Sequence, residues 1–322
     1  MKPTVFVARR IPDAGLKIIE PVCEMQVWEN SLPPPYENLT ARVKGVDGIL
    51  SLLTDRIDGA LMDAAGAQLK IISQYAVGYD NIDVAAARER GIAIGHTPGV
   101  LTEATADLAF ALLMAAARRI QEGVEYIRAG HWKTWEPTTL LGADITGATL
   151  GIVGLGRIGK AVARRAGGFD MRILAHSPSA TAETAAEAGV TLVDLDRLLR
   201  ESDFVSLHVP LNARTRHLIN RDTLRKMKPT AILINTTRGP VVDQQALYDA
   251  LSSGVIGAAA LDVTDPEPMS PDDPLLRLPN ALIVPHVGSA TIKTRDRMAV
   301  MAAENLVAGV TGKPLPHPVP SK

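Results

Sequence analysis

TLGIVGLGRIGK, spanning Thr149 to Lys160, carries an apolar run straight into three glycines and out again into helix-forming sequence. Thr149 to Val153 reads as a buried strand, Gly154, Gly156 and Gly159 as a turn, and Ile158 to Arg165 as a helix. In such a turn the first glycine permits the tight bend, the second lets the backbone approach a pyrophosphate, and the third lets helix and strand pack closely. The helix N-terminus then offers N–H groups and a dipole to an anion. A glycine-rich turn can also serve packing alone. Set between an apolar strand and a helix, it points to a dinucleotide-binding βαβ unit.

Around this unit the chain runs to 322 residues, enough for two domains at about 150 residues each. Apolar residues make up 46% but aromatics only 4%, so the cores must be built from Ala, Val, Leu and Ile. That is the composition of parallel sheets covered by helices. Thirty-four basic residues face 35 acidic ones with no run of like charge, which argues against a nucleic-acid or polybasic membrane surface and leaves small molecules as the expected partners. Cys23 is the only cysteine, so no intrachain disulfide can form, and its apolar neighbours mark it as an inert buried thiol. No metal site is expected. The opening MKPTVFVARR has too short an apolar run for a signal peptide, and no segment reaches the length of a membrane span; a cytoplasmic protein is expected.

Strand-like and helix-like runs alternate from the start. Val5 to Ala8, Met25 to Trp28, Gly48 to Leu53, Ile71 to Gln74 and Ile92 to Ile94 read as strands, and three consecutive prolines, Pro33 to Pro35, mark a surface loop. The alanine-rich, proline-free stretch Thr102 to Ala129 reads as one long helix, bent near Gly123, that leads into a second domain. Gly130 to Leu141 follows with Trp132 and Trp135 and no clear periodicity, an aromatic arm of the kind that packs on a partner subunit. After the glycine motif come six more apolar runs: Arg172 to His176, Thr191 to Val193, Phe204 to Val209, Ile232 to Asn235, Ala258 to Asp262 and Ala281 to Val284. Together these predict an α/β protein with doubly wound parallel sheets. Because the motif sits mid-chain, residues 101–287 are expected to form a Rossmann dinucleotide-binding domain inserted into a first domain made of 1–100 and 288–322. The final helix, Thr291 to Ala308, returns to that first domain, and a proline-rich extended tail ends the chain.

Three clusters lie where a strand gives way to a loop, the region where open α/β sheets place their ligands. Asn235-Thr236-Thr237-Arg238-Gly239 presents an arginine whose fork can hold a carboxylate in two hydrogen bonds. From the arginine alone, a surface ion pair is an equally good reading. Asp262 to Pro268 places prolines on both sides of Glu267, which stiffens a loop that could otherwise be a solvated acidic turn. Pro285-His286-Val287-Gly288-Ser289 puts a histidine at the end of another strand, whereas the other six histidines read mostly as structural. An arginine, a glutamate and a histidine so placed, downstream of a nucleotide motif, are the parts needed to reduce a 2-keto acid. Arg238 would hold the carboxylate, His286 would supply the proton, and Glu267 would favour the protonated imidazole.

The motifs QYAVGYDNID (Gln74 to Asp83), LTEATADLAFALL (Leu101 to Leu113), GIVGLGRIG, NTTRGPVVD (Asn235 to Asp243), ALDVTDPEP (Ala260 to Pro268) and PHVGSAT (Pro285 to Thr291) resemble, over nearly the whole chain, the D-isomer-specific 2-hydroxyacid dehydrogenases, in particular their glyoxylate/hydroxypyruvate reductase branch. The resemblance implies a flavodoxin-like substrate domain carrying the inserted Rossmann domain, catalytic Arg238, Glu267 and His286, and a homodimer. It also implies that the backbone of Val77 and Gly78 meets the substrate carboxylate, with Ser289 nearby, Leu53 lining the pocket and Trp135 approaching the neighbouring subunit's site. For the cofactor it implies Thr105 at the phosphates, Arg157 and Ile158 at the pyrophosphate, Val209, Pro210 and Thr215 beside the adenosine, Thr237 near the nicotinamide and Asp262 at its amide. Alternatives stay open: another 2-hydroxy acid as substrate, or an NAD(H)-sensing corepressor of the same fold.

Cofactor choice can be argued physically. The position for a ribose-binding acid, at the end of the second strand of the Rossmann unit, is Ser177. With no carboxylate there to repel a 2′-phosphate, NADP(H) is expected in preference to NAD(H), although the arginine that often follows in NADP-using relatives is also absent. Use of both cofactors remains an alternative.

Overall fold

The computed structural model describes residues 1–320, and its first unit joins Met1–Leu101 to Ser289–Lys322. Five short strands, β1 (Thr4–Val7), β2 (Glu24–Val27), β3 (Gly48–Ser51), β4 (Ile71–Gln74) and β5 (Ala93–Gly95), alternate with α1 (Asp13–Ile19), α2 (Tyr36–Arg42), α3 (Gly59–Ala65) and α4 (Val84–Glu89). All pairs are parallel, in the order β2-β1-β3-β4-β5, which is the flavodoxin-like doubly wound order. Strand periodicity divides the core between the two faces. Phe6, Ile49 and Ile72 pack into one cluster, while Val5, Val7, Leu50 and Ile71 pack into another. Helix starts are fixed by carboxylates: Asp58 accepts from the Leu61 N–H and Asp83 from the Ala86 N–H, each cap contributing about 1 kcal/mol.

The tail of the chain belongs to this sheet. Its last helix, spanning Ile292–Val310, buries Met298, Ala299, Ala302, Ala303 and Leu306 against the second cluster. Beyond it the extended tail is hydrogen-bonded into place: His96 N–H donates to His317 O at 3.0 Å and Val319 N–H to Ile94 O at 2.8 Å, with Gly95 bridged antiparallel to Pro318. An open edge of unpaired backbone groups is thereby covered. The tail's last two residues lie outside the described residues.

The second unit, Thr102–Gly288, is built on a seven-stranded parallel sheet. It begins with α5 (Thr102–Ala117) and α6 (Ile120–Arg128), then runs β6 (Thr149–Val153), α7 (Arg157–Gly167), β7 (Arg172–His176), α8 (Ala182–Glu187), β8 (Thr191–Leu192), α9 (Leu195–Glu201), β9 (Phe204–Leu207), α10 (Arg221–Leu224), β10 (Ile232–Asn235), α11 (Gln244–Ser252), β11 (Ala258–Leu261) and β12 (Ala281–Ile283). The long helix of the first unit is then α12. The spatial order is β12-β11-β10-β9-β6-β7-β8. From β6 the chain winds outward through β7 and β8, then returns to the other side of β6 as β9. The carboxyl ends of β6 and β9 therefore form the switch point at which this architecture binds ligands. Both units have the doubly wound parallel sheets expected. The division between the units falls one residue later at each crossing than the sequence reading placed it.

One expected element is corrected. Thr102 to Ala129 is two helices rather than one bent at Gly123, and the break falls at Arg118 and Arg119, where Arg119 adopts φ 50°. The Ala117 carbonyl accepts the Ala143 N–H at 2.8 Å instead of an N–H one turn on in its own helix, so the ladder ends there. Arg119 holds the new direction by donating to both carboxylate oxygens of Glu122, at 2.9 and 2.6 Å. The arm after α6 has no regular element, and Trp132 and Trp135 are 65% and 80% exposed.

Candidate active site

The glycine turn has the shape that a pyrophosphate needs. Gly154 has φ +99°, and a Cβ there would lie 2.5 Å from the His208 carbonyl oxygen; a Cβ on Gly159 would overlap the carbonyl of Gly154. A Cβ on Gly156 would meet nothing within 4 Å, so no protein atom crowds its backbone on that side. Helix α7 starts at Arg157 with Gly156 as N-cap and no side-chain cap, which leaves the N–H groups of its first turn, Arg157 and Ile158 included, without a competing side-chain acceptor. These residues fit a dinucleotide. Across the switch point, the loop after β9 carries Val209, Pro210 and Thr215, locked by the Thr215 hydroxyl, which donates to Pro210 O at 2.6 Å and accepts from the Asn212 N–H at 2.9 Å. Ser177 is the first residue after β7, on the far side of β6 from β10, β11 and β12.

Arg238, Glu267 and His286 follow three neighbouring strands, β10, β11 and β12, at their carboxyl ends. Buried Asn235 ends β10 and shapes the arginine loop: its Oδ1 accepts from the N–H and hydroxyl of Thr237 at 3.0 and 2.8 Å, and its Nδ2 donates to Arg238 O at 3.0 Å. Gly239 then lets that loop touch the next one, because a Cβ on it would overlap the Thr264 carbonyl. The acidic loop is tied from below, where Gln244 Oε1 accepts the Asp265 N–H at 2.9 Å.

His286 Nδ1 is paired with Glu267 Oε1. Its backbone has φ 51°, a left-handed conformation that costs a side-chain-bearing residue on the order of 1–3 kcal/mol and persists only where the surroundings enforce it. Asp262 does so. Its carbonyl accepts the His286 N–H at 2.9 Å, and its carboxylate accepts the N–H groups of Val287 at 2.6 Å and Gly288 at 2.8 Å. Burial outweighs those two donors and holds the Asp262 carboxyl above its usual range. Thr105, buried in the first turn of α5, is beside the same turn: a Cβ on Gly288 would lie 3.5 Å from the Thr105 methyl. His208, just past the end of β9, is held neutral. Desolvation lowers its pKa to about 3, and Nε2 pairs with Ser206 Oγ at 2.8 Å. A ring so placed is no proton source near neutrality.

The remaining sequence-predicted residues lie elsewhere. In the first unit, half-buried Leu53 sits in the loop after β3, Val77 and Gly78 in the loop after β4, and Ser289 before α12. Trp135 is on the exposed arm of the second unit.

A sequence profile described as D-isomer specific 2-hydroxyacid dehydrogenase, NAD binding domain, matches residues 110–288, more than half of the chain. The chain belongs to that family. Among relatives of this dehydrogenase, a glyoxylate reductase of Korarchaeum cryptofilum is 56% identical over 318 residues, covering 98% of this chain and 96% of the relative. The crystal structure of the TT0316 protein from Thermus thermophilus superposes with a TM-score of 0.92 at 49% identity, covering 98% of this chain and all of that one. An NADPH-dependent glyoxylate/hydroxypyruvate reductase from Sinorhizobium meliloti, in complex with NADP and malonate, has a TM-score of 0.88 at 34% identity over 99% of this chain and 97% of its own. This dehydrogenase is an oxidoreductase with a nicotinamide-cofactor domain.

Two roles escaped the sequence reading. The sequence reading takes Asn235 only as a member of a motif, although Asn is a residue type whose side chain bonds its own backbone two residues on and so shapes a turn. Asp262, assigned to the nicotinamide amide, has both carboxylate oxygens engaged by the histidine turn. No local pattern announces that contact, because its partners are 25 and 26 residues away.

Proposed function

We propose that this enzyme reduces a small 2-keto acid, glyoxylate or hydroxypyruvate, to the D-2-hydroxy acid, glycolate or D-glycerate, in a reversible reaction. The observation that carries this reading is the Glu267–His286 pair, set at the carboxyl ends of neighbouring strands and braced by Asp262. The identity to named glyoxylate reductases gives the substrate class its support. Bound NAD(P)H supplies the hydride. Arg238 presents its guanidinium to the substrate carboxylate, where a charge-assisted fork fixes orientation as well as affinity. His286 donates the proton to the developing alkoxide, with Glu267 on the opposite ring nitrogen stabilising the imidazolium form. Val77 and Gly78 are assigned to the carboxylate through their N–H groups, with Leu53, Ser289 and a partner subunit's Trp135 completing the surroundings. Initial rates of NADPH and NADH oxidation with glyoxylate, hydroxypyruvate and pyruvate test this. Turnover of either of the first two is expected, and inertness toward every 2-keto acid offered would remove the reading.

NADP(H) is the proposed preference. Ser177 carries no charge to repel a 2′-phosphate, and one solved relative is named as NADPH-dependent. Ser177→Asp is expected to lower the NADPH to NADH ratio of kcat/KM by about 10-fold or more, since ~1.4 kcal/mol of repulsion suffices for that. An unchanged ratio would take Ser177 out of the ribose site.

The proposed assembly is a homodimer. Ile120, Val124 and Ile127, spaced four and three residues apart on α6, are exposed together with Trp132, Trp135 and Leu141, an apolar set larger than isolated surface residues explain. Sedimentation equilibrium should return twice the 34.3 kDa chain mass; the mass of one chain would refute it. The buried free thiol of Cys23 suits the proposed cytoplasmic location.

A further inference from the structure

Three consecutive carbonyls in the loop after β4 each have a hydrogen-bond partner. Ala76 O accepts the Thr97 N–H at 2.9 Å, Val77 O is 2.9 Å from His96 Nδ1, and Gly78 O is 3.3 Å from Gln74 Nε2. Since a carbonyl only accepts, Nδ1 of His96 must carry the hydrogen. The N–H groups of Val77 and Gly78 have no acceptor among the described residues, and both residues are half-buried. With all three carbonyls engaged by the protein, the N–H groups of Val77 and Gly78 are the backbone groups of this segment left to meet an anion.

Gln74 is itself locked. Its Oε1 accepts from the Ser51 hydroxyl at 2.7 Å, and its Nε2 also donates to Asn81 Oδ1 at 2.7 Å, while Asn81 Nδ2 donates to Leu52 O at 3.0 Å and Asp55 O at 2.8 Å. Every amide nitrogen in this chain of bonds faces oxygens that can only accept, so the orientation of both amides is fixed. Ser51 and Gln74 are fully buried, where a broken link would leave a polar atom unsatisfied. The same bonds tie the loop of Val77 and Gly78 to the loop that carries Leu53. Sequence reading counts His96 among the structural histidines.

We propose that His96 and Gln74 are positioning residues that hold the Val77 and Gly78 N–H groups in place for the carboxylate of the substrate. The proposal rests on the keto-acid reading above. Its test is steady-state kinetics of His96→Leu, His96→Asn and Gln74→Leu with glyoxylate and NADPH, alongside Arg238→Ala, with NADPH affinity and thermal unfolding measured for each. Asparagine can place an amide nitrogen near the position of Nδ1, so it retains the donor; leucine does not.

Both leucine variants are expected to raise KM for glyoxylate by about 10-fold, the effect of one or two lost hydrogen bonds to a binding group, while NADPH affinity stays within about 2-fold. His96→Asn is expected to return KM toward the wild-type value. A purely structural role lowers the unfolding temperature without moving KM, and that result overturns the proposal, as does a KM shift that asparagine shares with leucine. If Arg238→Ala loses glyoxylate reduction while the leucine variants keep a normal KM, the proposal fails and the keto-acid reading stands. If the wild-type enzyme reduces no 2-keto acid, the reading itself has failed and the proposal falls with it.

Discussion

His286→Gln lowers turnover of glyoxylate by about 10²- to 10⁴-fold, the range that a positioned general acid supplies, and leaves NADPH affinity within about 2-fold. Glutamine keeps a hydrogen-bonding group opposite Glu267 but has no proton to deliver near neutrality. Its backbone must also accept φ 51° at this position, a conformation that asparagine and histidine adopt more readily than most residues. His286→Asn is therefore the companion variant. It keeps the turn that Asp262 holds through the N–H groups of Val287 and Gly288, while removing the acid. Equal losses in both variants assign the effect to the missing proton; loss in glutamine alone assigns it to the turn. Near-normal turnover in both would end the acid role of His286.

The fold was legible because parallel sheets buried on both faces announce themselves as short apolar runs. Ile71 to Gln74 and Ile232 to Asn235 have in the structure the same ends that the sequence predicts. The break at Arg119 was not legible. Nothing in an alanine-rich stretch shows that Ala143, 26 residues downstream, will take the Ala117 carbonyl out of its helix. The tail was read only as extended, for a similar reason: its pairing with Ile94 and His96 crosses more than 200 residues. In the site, strand-end positions singled out Arg238, Glu267 and His286 by residue type. What holds those groups was hidden, because Asn235, Asp262 and Gln244 act through backbone atoms that any sequence would supply.

Gly239→Ala shows how much depends on such contacts. The residue follows Arg238 directly, and an added Cβ would overlap the Thr264 carbonyl and lie 2.8 Å from the Asp265 nitrogen. Those are backbone atoms of the loop that runs on to Glu267, so no side chain can swing aside. The loops after β10 and β11 must instead separate by on the order of 1 Å, and a misplacement of that size in an active site can cost about 10²-fold in rate. A loss of about 10²-fold in kcat/KM for glyoxylate is expected, together with a stability loss of about 1–3 kcal/mol from overpacking. Gly167→Ala is the control. Gly167 is the last residue of α7, with nothing within 4 Å of its added Cβ, so Gly167→Ala should leave kcat/KM unchanged and stabilise the protein by about 0.4–1 kcal/mol through the unfolded chain. If Gly239→Ala retains kcat/KM within about 3-fold of wild type, the effect expected from misplacement fails. The contact between the two loops would then serve packing, and the placement of Arg238 would rest on bonds within its own loop, such as that from Asn235 Nδ2 to the Arg238 carbonyl.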